Sequence, residues 1–113
     1  MKYMILIYNS EAAWQAQTPS EMEKGMAAYR AYAQALAESG KMVDGSELAP
    51  VNTARSITVR NGSPRVVDGP YVDIKEQLGG YFLIDVASEA EAIEWAQKCP
   101  GAHHGAVELR PCI

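Results

Sequence analysis

Val66-Val67-Asp68-Gly69-Pro70-Tyr71-Val72-Asp73-Ile74-Lys75-Glu76-Gln77-Leu78-Gly79-Gly80-Tyr81-Phe82 is the stretch from which the rest of the chain can be read. It joins a short apolar arm, Pro64 to Val67, to the apolar run Tyr81-Phe82-Leu83-Ile84-Asp85-Val86. Asp-Gly-Pro is turn chemistry: the Asp side chain can bond nearby amides, Gly accepts positive φ, and Pro fixes the next φ. The length and β-branched and aromatic content of Tyr81–Val86 predict a strand. The stretch is therefore a loop between two extended segments, and it carries two acids, a lysine and a glutamate.

Downstream, Ser88-Glu89-Ala90-Glu91 is a capping box, and Ala92, Ile93, Ala96 and Cys99 recur at helical spacing. Pro100-Gly101 ends that helix, His103-His104 reads as an exposed turn, and Ala106–Arg110 alternates as a last strand with Val107 and Leu109 inward. Upstream, Arg55–Arg60 alternates, and Asn61-Gly62 marks a hairpin whose return arm is Pro64–Val67. Lys41–Ala49 reads as an irregular strand with a bulge expected at Gly45, and Pro50–Thr53 as a connector. Thr18-Pro19-Ser20-Glu21 starts a helix with a capping box and a proline at its first position. Met22, Met26, Tyr29, Ala33 and Leu36 form its core stripe, Gly25 points to close packing, and Gly40 stops it. Asn9–Gln17 breaks the pattern, with Trp14 folding back over the core edge or, on a second reading, forming a wall or lid of a pocket. The N-terminal Tyr3–Tyr8 is a continuous apolar run and predicts a central strand.

The order is strand, helix, strand, inserted hairpin, strand, helix, strand. That is an α+β, ferredoxin-like split βαβ arrangement within one domain spanning residues 1–113. Helices would cover one sheet face. Ile5, Ile7 and Leu83 leave no wholly polar face on the central strands, so the other face calls for a sheet-to-sheet homodimer.

The 113 residues carry a net charge of -4, which disfavours nucleic acid or an anionic membrane as partner. No apolar run reaches the roughly 20 residues of a membrane helix, and the N-terminus lacks a signal-peptide pattern. Cys99 and Cys112 form neither a C-x-x-C pair nor a ligand spacing. A cytoplasmic protein with reduced thiols, and without a metal or cofactor, is expected.

Asp68-Gly69-Pro70-Tyr71 followed by Lys75-Glu76-Gln77-Leu78-Gly79-Gly80-Tyr81-Phe82 resembles the YCII-related proteins, in particular their DGPF branch, with Tyr71 in place of Phe. Lys2–Tyr8, Ala92–Ala96 and Cys99-Pro100 fit the same branch, so the resemblance spans nearly the whole chain. It implies a dimeric α/β barrel of ferredoxin-like protomers. The wider family is thought to hold a His–Asp pair in a cleft, with the histidine on the first helix, and one member resembles a dehydrochlorinase. Here Ser20–Ser39 contains no histidine, so the pair does not carry over. Some DGPF relatives accompany extracytoplasmic-function sigma factors, which implies a link to transcriptional control.

Two readings of Asp68 stand side by side: a turn-holding residue, or a carboxylate at a cleft acting as general base or anchor. Lys75 and Glu76 are either a solvated face or, with Tyr71, part of a pocket in which Lys75 is partly buried and paired. A second strand antiparallel to the third would bring Glu47-Leu48 to Gly80-Tyr81 and Glu47 toward Lys75. The catalytic candidates are thus Asp68 and Lys75, and the substrate-binding candidates Glu47, Tyr71 and Glu76. The expected function is small-molecule binding or cofactor-free acid–base catalysis of an elimination or isomerisation. The alternative is a non-catalytic ligand-sensing or partner-binding module.

Overall fold

The structure, a computed structural model, describes residues 1–113. Strand β1 (Lys2–Asn9) lies inside a four-stranded antiparallel sheet of order β2-β5-β1-β6, completed by β2 (Met42–Glu47), β5 (Gln77–Asp85) and β6 (Ala106–Pro111). Ile5 stands opposite Phe82 on one side and Leu109 on the other. Alternation along β1 sends Tyr3, Ile5 and Ile7 into the core beneath the helices, while Met4, Leu6 and Tyr8 stay half-buried on the opposite face.

Two helices cover the core face. Helix α2 (Pro19–Glu38) starts where its capping box dictates: the Thr18 hydroxyl accepts the Glu21 N–H at 3.2 Å, and the Glu21 carboxylate accepts the Thr18 N–H at 3.0 Å. The Thr18 backbone N–H, and after it the Thr18 hydroxyl, hold the Glu21 carboxyl below its ordinary pKa. Helix α3 (Glu89–Lys98) is capped by Ser88, which accepts the Glu91 N–H. The Tyr32 hydroxyl donates to the Trp95 carbonyl at 2.7 Å, joining the two helices, and its ring meets Phe82 edge-on at 5.2 Å. Leu36, Ile84, Ala92 and Cys99 complete a fully buried centre. Burial pushes the Cys99 thiol pKa up, and Cys112 is exposed; both cysteines are free.

Four local features depart from the sequence reading. The Asn9–Gln17 segment contains a short helix, α1 (Glu11–Gln15), because the Ser10 hydroxyl accepts the Ala13 N–H and caps it. The bulge in β2 falls at Val43, between Met42 and Asp44, rather than at Gly45. Gly45 is instead a packing glycine: a Cβ there would lie 2.8 Å from the Phe82 ring and 2.9 Å from the Met42 methyl. Strand β5 begins at Gln77, not Tyr81, because bare Gly80 lets the Ser46 carbonyl approach to 2.9 Å of where its Cβ would stand. His103 and His104 end a short helix, α4 (Gly101–His104), rather than a turn, though both are exposed as expected.

Strands β3 (Arg55–Arg60) and β4 (Ser63–Asp68) form a separate two-stranded hairpin. Asn61 and Gly62 both take positive φ, 51° and 74°, as a type I′ turn requires. Ile57, Val59, Val66 and Val67 are exposed on this hairpin. No helix is long and apolar enough to cross a membrane.

Candidate functional site

A cavity of about 630 Å³ opens where β2 and β5 meet beneath the middle of α2, Met26 to Ala33. Its origin lies in residue size. Gly45, Gly79 and Gly80 present no side chains at this corner of the sheet, so the helix layer above it is not met by bulk from below. Met26, expected in the core stripe, lines the opening instead and is 48% exposed. Tyr32 takes the central place on the helix.

Phe82, Met42 and Ile7 give the cavity an apolar floor. Trp14 walls one side, lying on Gly25 so closely that a Cβ there would stand 3.1 Å from the indole. The close packing expected at Gly25 is thus explained, and its occupant is a pocket wall. Helix α1, which carries Trp14, is tied down by Glu11, whose carboxylate accepts the Val51 N–H at 2.9 Å.

The polar groups are few. Arg30 is engaged by Glu23 at 3.0 Å. Glu47, opposite Gly80 in the β2–β5 register, is exposed and makes no ion pair. Half-buried Tyr29 has its pKa pushed up to about 12, first by burial, then by the charges of Cys99 and Glu47, with a smaller opposing contribution from the Gly101 backbone. Its hydroxyl therefore stays protonated and able to donate across the ordinary pH range. Buried Gly101 makes room for it, since a Cβ would come within 2.7 Å of both the Tyr29 oxygen and the Ile7 Cγ2.

Of the residues singled out in the sequence, the structure brings Glu47 alone to this cavity. The expected meeting of strand ends is present: Glu47 faces Gly80, and the Leu48 N–H donates to the Gly79 carbonyl at 2.9 Å. Lys75, however, is exposed and makes no ion pair with Glu47 or any other acid, because the 69–76 loop turns outward before β5 begins. Asp68 is exposed at the base of the hairpin. It pairs with Arg55, its cross-strand neighbour, at 3.2 Å rather than bonding the amides of its own turn. The turn is held by backbone: Gly69, at φ 104°, donates its N–H to the Ala54 carbonyl, and the Ser56 hydroxyl donates to the Gly69 carbonyl at 2.8 Å. Tyr71 is 78% exposed, and Glu76 is also exposed. Gln77 gathers this loop by donating to the Val72 and Ile74 carbonyls, and pairs in β5 with Asn9, a lining residue. The loop thus leaves from the edge of the cavity without lining it.

Trp14 takes the pocket-wall place, one of the two open to it from the sequence, and sequence reasoning missed Tyr29 as a cavity residue. The signal for Trp14 was Gly25, a glycine in mid-helix whose partner only the fold reveals. Tyr29 sat in a stripe that reads as core because its neighbours at helical spacing are apolar. Nowhere do three His, Cys, Asp or Glu side chains converge as ligands to a metal would.

The YCII-related domain matches residues 1–113. An uncharacterized protein of Rhizobium meliloti (strain 1021) is 35% identical over 113 residues, covering 98% of this chain and 91% of that protein. Among solved structures, 5-chloro-2-hydroxyhydroquinone dehydrochlorinase from Burkholderia phenoliruptrix AC1100, in complex with 2,5-dihydroxybenzoquinone, superposes with a TM-score of 0.59 at 16% identity, covering 100% of this chain and 94% of that one. That likeness is one of fold. With the mixed α+β architecture and antiparallel sheets described above, these matches show that the chain belongs to the YCII-related family.

Proposed function

We propose that this protein binds and processes a small molecule in the cavity between α1, α2 and the β2–β5 corner, by acid–base chemistry without a cofactor. The observation that carries the reading is the cavity's pairing of an exposed but unpartnered carboxylate, Glu47, with the half-buried, protonated Tyr29 hydroxyl on largely apolar walls. A carboxylate can take a proton from a bound substrate, and a hydroxyl with a raised pKa can donate a hydrogen bond to an oxygen on which negative charge develops. Those two roles suit an elimination or an isomerisation. The dehydrochlorinase that shares the fold supports a small-molecule site in such an architecture. We place Asp68, Tyr71, Lys75 and Glu76 at the rim, where they meet an arriving ligand, because Gln77 fastens their loop beside Asn9.

The protomers are proposed to be ferredoxin-like and to pair sheet to sheet in a cytoplasmic homodimer, the arrangement of the DGPF branch. Half-buried Met4, Leu6, Tyr81 and Leu83 on the uncovered sheet face support this. A second reading, a non-catalytic partner-binding module linked to transcriptional regulation, is favoured by one feature: the exposed apolar residues Ile57, Val59, Val66 and Val67 on the hairpin.

A thermal-shift screen against a metabolite library tests the first reading. A ligand at a hundred times its Kd adds about 2.7 kcal/mol to stability, and Trp14→Ala should remove that gain. A ligand that stabilises both forms equally would place its site elsewhere. The absence of any hit, with a partner protein captured through the hairpin, would favour the second reading.

A further inference from the structure

The charge balance of the cavity narrows what can occupy it, given the site proposed above. Glu11, Glu47 and Arg30 are the charged residues that line it. Arg30 shares its charge with Glu23 at 3.0 Å in a pair that is largely open to solvent. Glu11 spends one oxygen on the Val51 N–H, and that neutral donor leaves its charge uncompensated. Glu47 has no partner. With Glu23 counted, three carboxylates stand against one guanidinium at this site.

A carboxylate or phosphate entering here would meet a net negative charge, and the one guanidinium at the site is already shared with Glu23. Lys75, on the loop after the Asp-Gly-Pro turn, lies outside the cavity. The remaining walls are rich in groups that attract cations through their electron density: Trp14, Phe82 and Tyr29 are aromatic, and Met26 and Met42 are polarizable. Aromatic faces with carboxylates at a cleft of this size are the chemistry by which proteins hold organic ammonium groups.

We propose that the cavity selects an organic cation: a protonated or quaternary amine on a compact apolar body, its nitrogen held by Glu47 against the aromatic wall. The body would rest on Phe82 and Met42, and the Tyr29 hydroxyl would remain free to donate to an oxygen of the ligand.

The test uses matched probes of one size on the full chain: phenethylamine, benzyltrimethylammonium, phenethyl alcohol and phenylacetate, with affinities from ligand-observed NMR titration. The two ammonium probes should bind about ten-fold more tightly than the alcohol, and phenylacetate should not bind. Glu47→Gln should bring phenethylamine down to the level of the alcohol while the alcohol itself is unchanged. Trp14→Leu should weaken benzyltrimethylammonium more than the alcohol. Equal binding of alcohol and ammonium, or preferential binding of phenylacetate, would overturn the choice of an organic cation while leaving the cavity as a binding site. Binding of no probe would also overturn it; if the metabolite library then yields no ligand sensitive to Trp14→Ala, the cavity reading falls as well.

Discussion

Gly45→Ala is the sharpest perturbation of the corner that creates the cavity. The new methyl would lie 2.8 Å from Cδ1 and 3.2 Å from Cε1 of Phe82, and 2.9 Å from the Met42 Cε. The Met42 methyl ends a flexible chain and can swing aside. The Phe82 ring cannot do so cheaply, because its edge-on contact with Tyr32 at 5.2 Å holds it from behind. Overpacking of this kind costs about 1–3 kcal/mol. Against it stands the gain from replacing glycine in a regular backbone conformation, about 0.4–1 kcal/mol. The clash wins, with a net loss of about 1–2 kcal/mol. For a domain of this size that lowers Tm by roughly 4–8 °C, read by circular dichroism melting. Met42→Ala in the same background should not recover the loss, since Phe82 supplies the harder contact and truncating Met42 removes packing against the core. A Gly45→Ala protein that melts at or above the wild-type temperature would refute the packing argument, and with it the account of why the cavity is open.

Thr18→Ala removes half of the capping box and should cost about 1 kcal/mol, seen as a lower urea midpoint; an unchanged midpoint would show that the cap contributes nothing. Tyr29, held near 12, should titrate well above free tyrosine in an ultraviolet difference titration. Because its folded pKa is the raised one, its contribution is present below pH 10 and is lost as pH rises from about 10 through about 12. The full gap corresponds to about 2.7 kcal/mol at about 1.36 kcal/mol per pH unit, reduced by solvent screening of this half-exposed group to about 1. Tyr29→Phe should flatten that alkaline loss, and a profile identical to wild type would contradict the assignment. Lys75→Ala should leave stability within about 0.5 kcal/mol, as suits an exposed, unpaired side chain; a marked drop would mean that the loop carries structure its contacts do not show. Leu6→Glu should convert the proposed homodimer to monomer in sedimentation analysis, whereas a dimer that survives it would mean pairing through another surface.

The parts of the fold legible in the sequence are those governed by local chemistry. Thr18-Pro19-Ser20-Glu21 places α2 by a complete capping box, and Ser88–Glu91 places α3 by half of one, since Ser88 accepts the Glu91 N–H while the Glu91 carboxylate accepts the Ala87 N–H instead. Asn61-Gly62 places the hairpin because positive φ at both positions is a residue-level property. The Glu47–Gly80 meeting followed from strand direction alone. What was not legible depends on partners distant in the chain. The start of β5 at Gln77 is set by pairing with Asn9 and with Glu47, which two glycines do not advertise. The cavity is built from Trp14, Gly25 and Gly45, residues whose meaning lies in what they touch across the fold. The Asp68–Glu76 loop drew notice by its density of functional groups, but density along a chain does not place side chains inside a cleft. Its glycine and proline turn it outward, and Arg55 claims Asp68.

The central claim is that the ligand site lies in the cavity under α2 and not on the Asp-Gly-Pro loop. Backbone and indole N–H chemical-shift mapping of the labelled protein, titrated with phenethylamine or with a hit from the metabolite screen, tests it most directly. The account predicts that shifts concentrate at the Trp14 indole and at Gly45, Glu47, Gly79 and Gly80. Shifts concentrated instead at Gly69, Tyr71, Lys75 and Glu76, with Trp14 and Glu47 undisturbed, would contradict it.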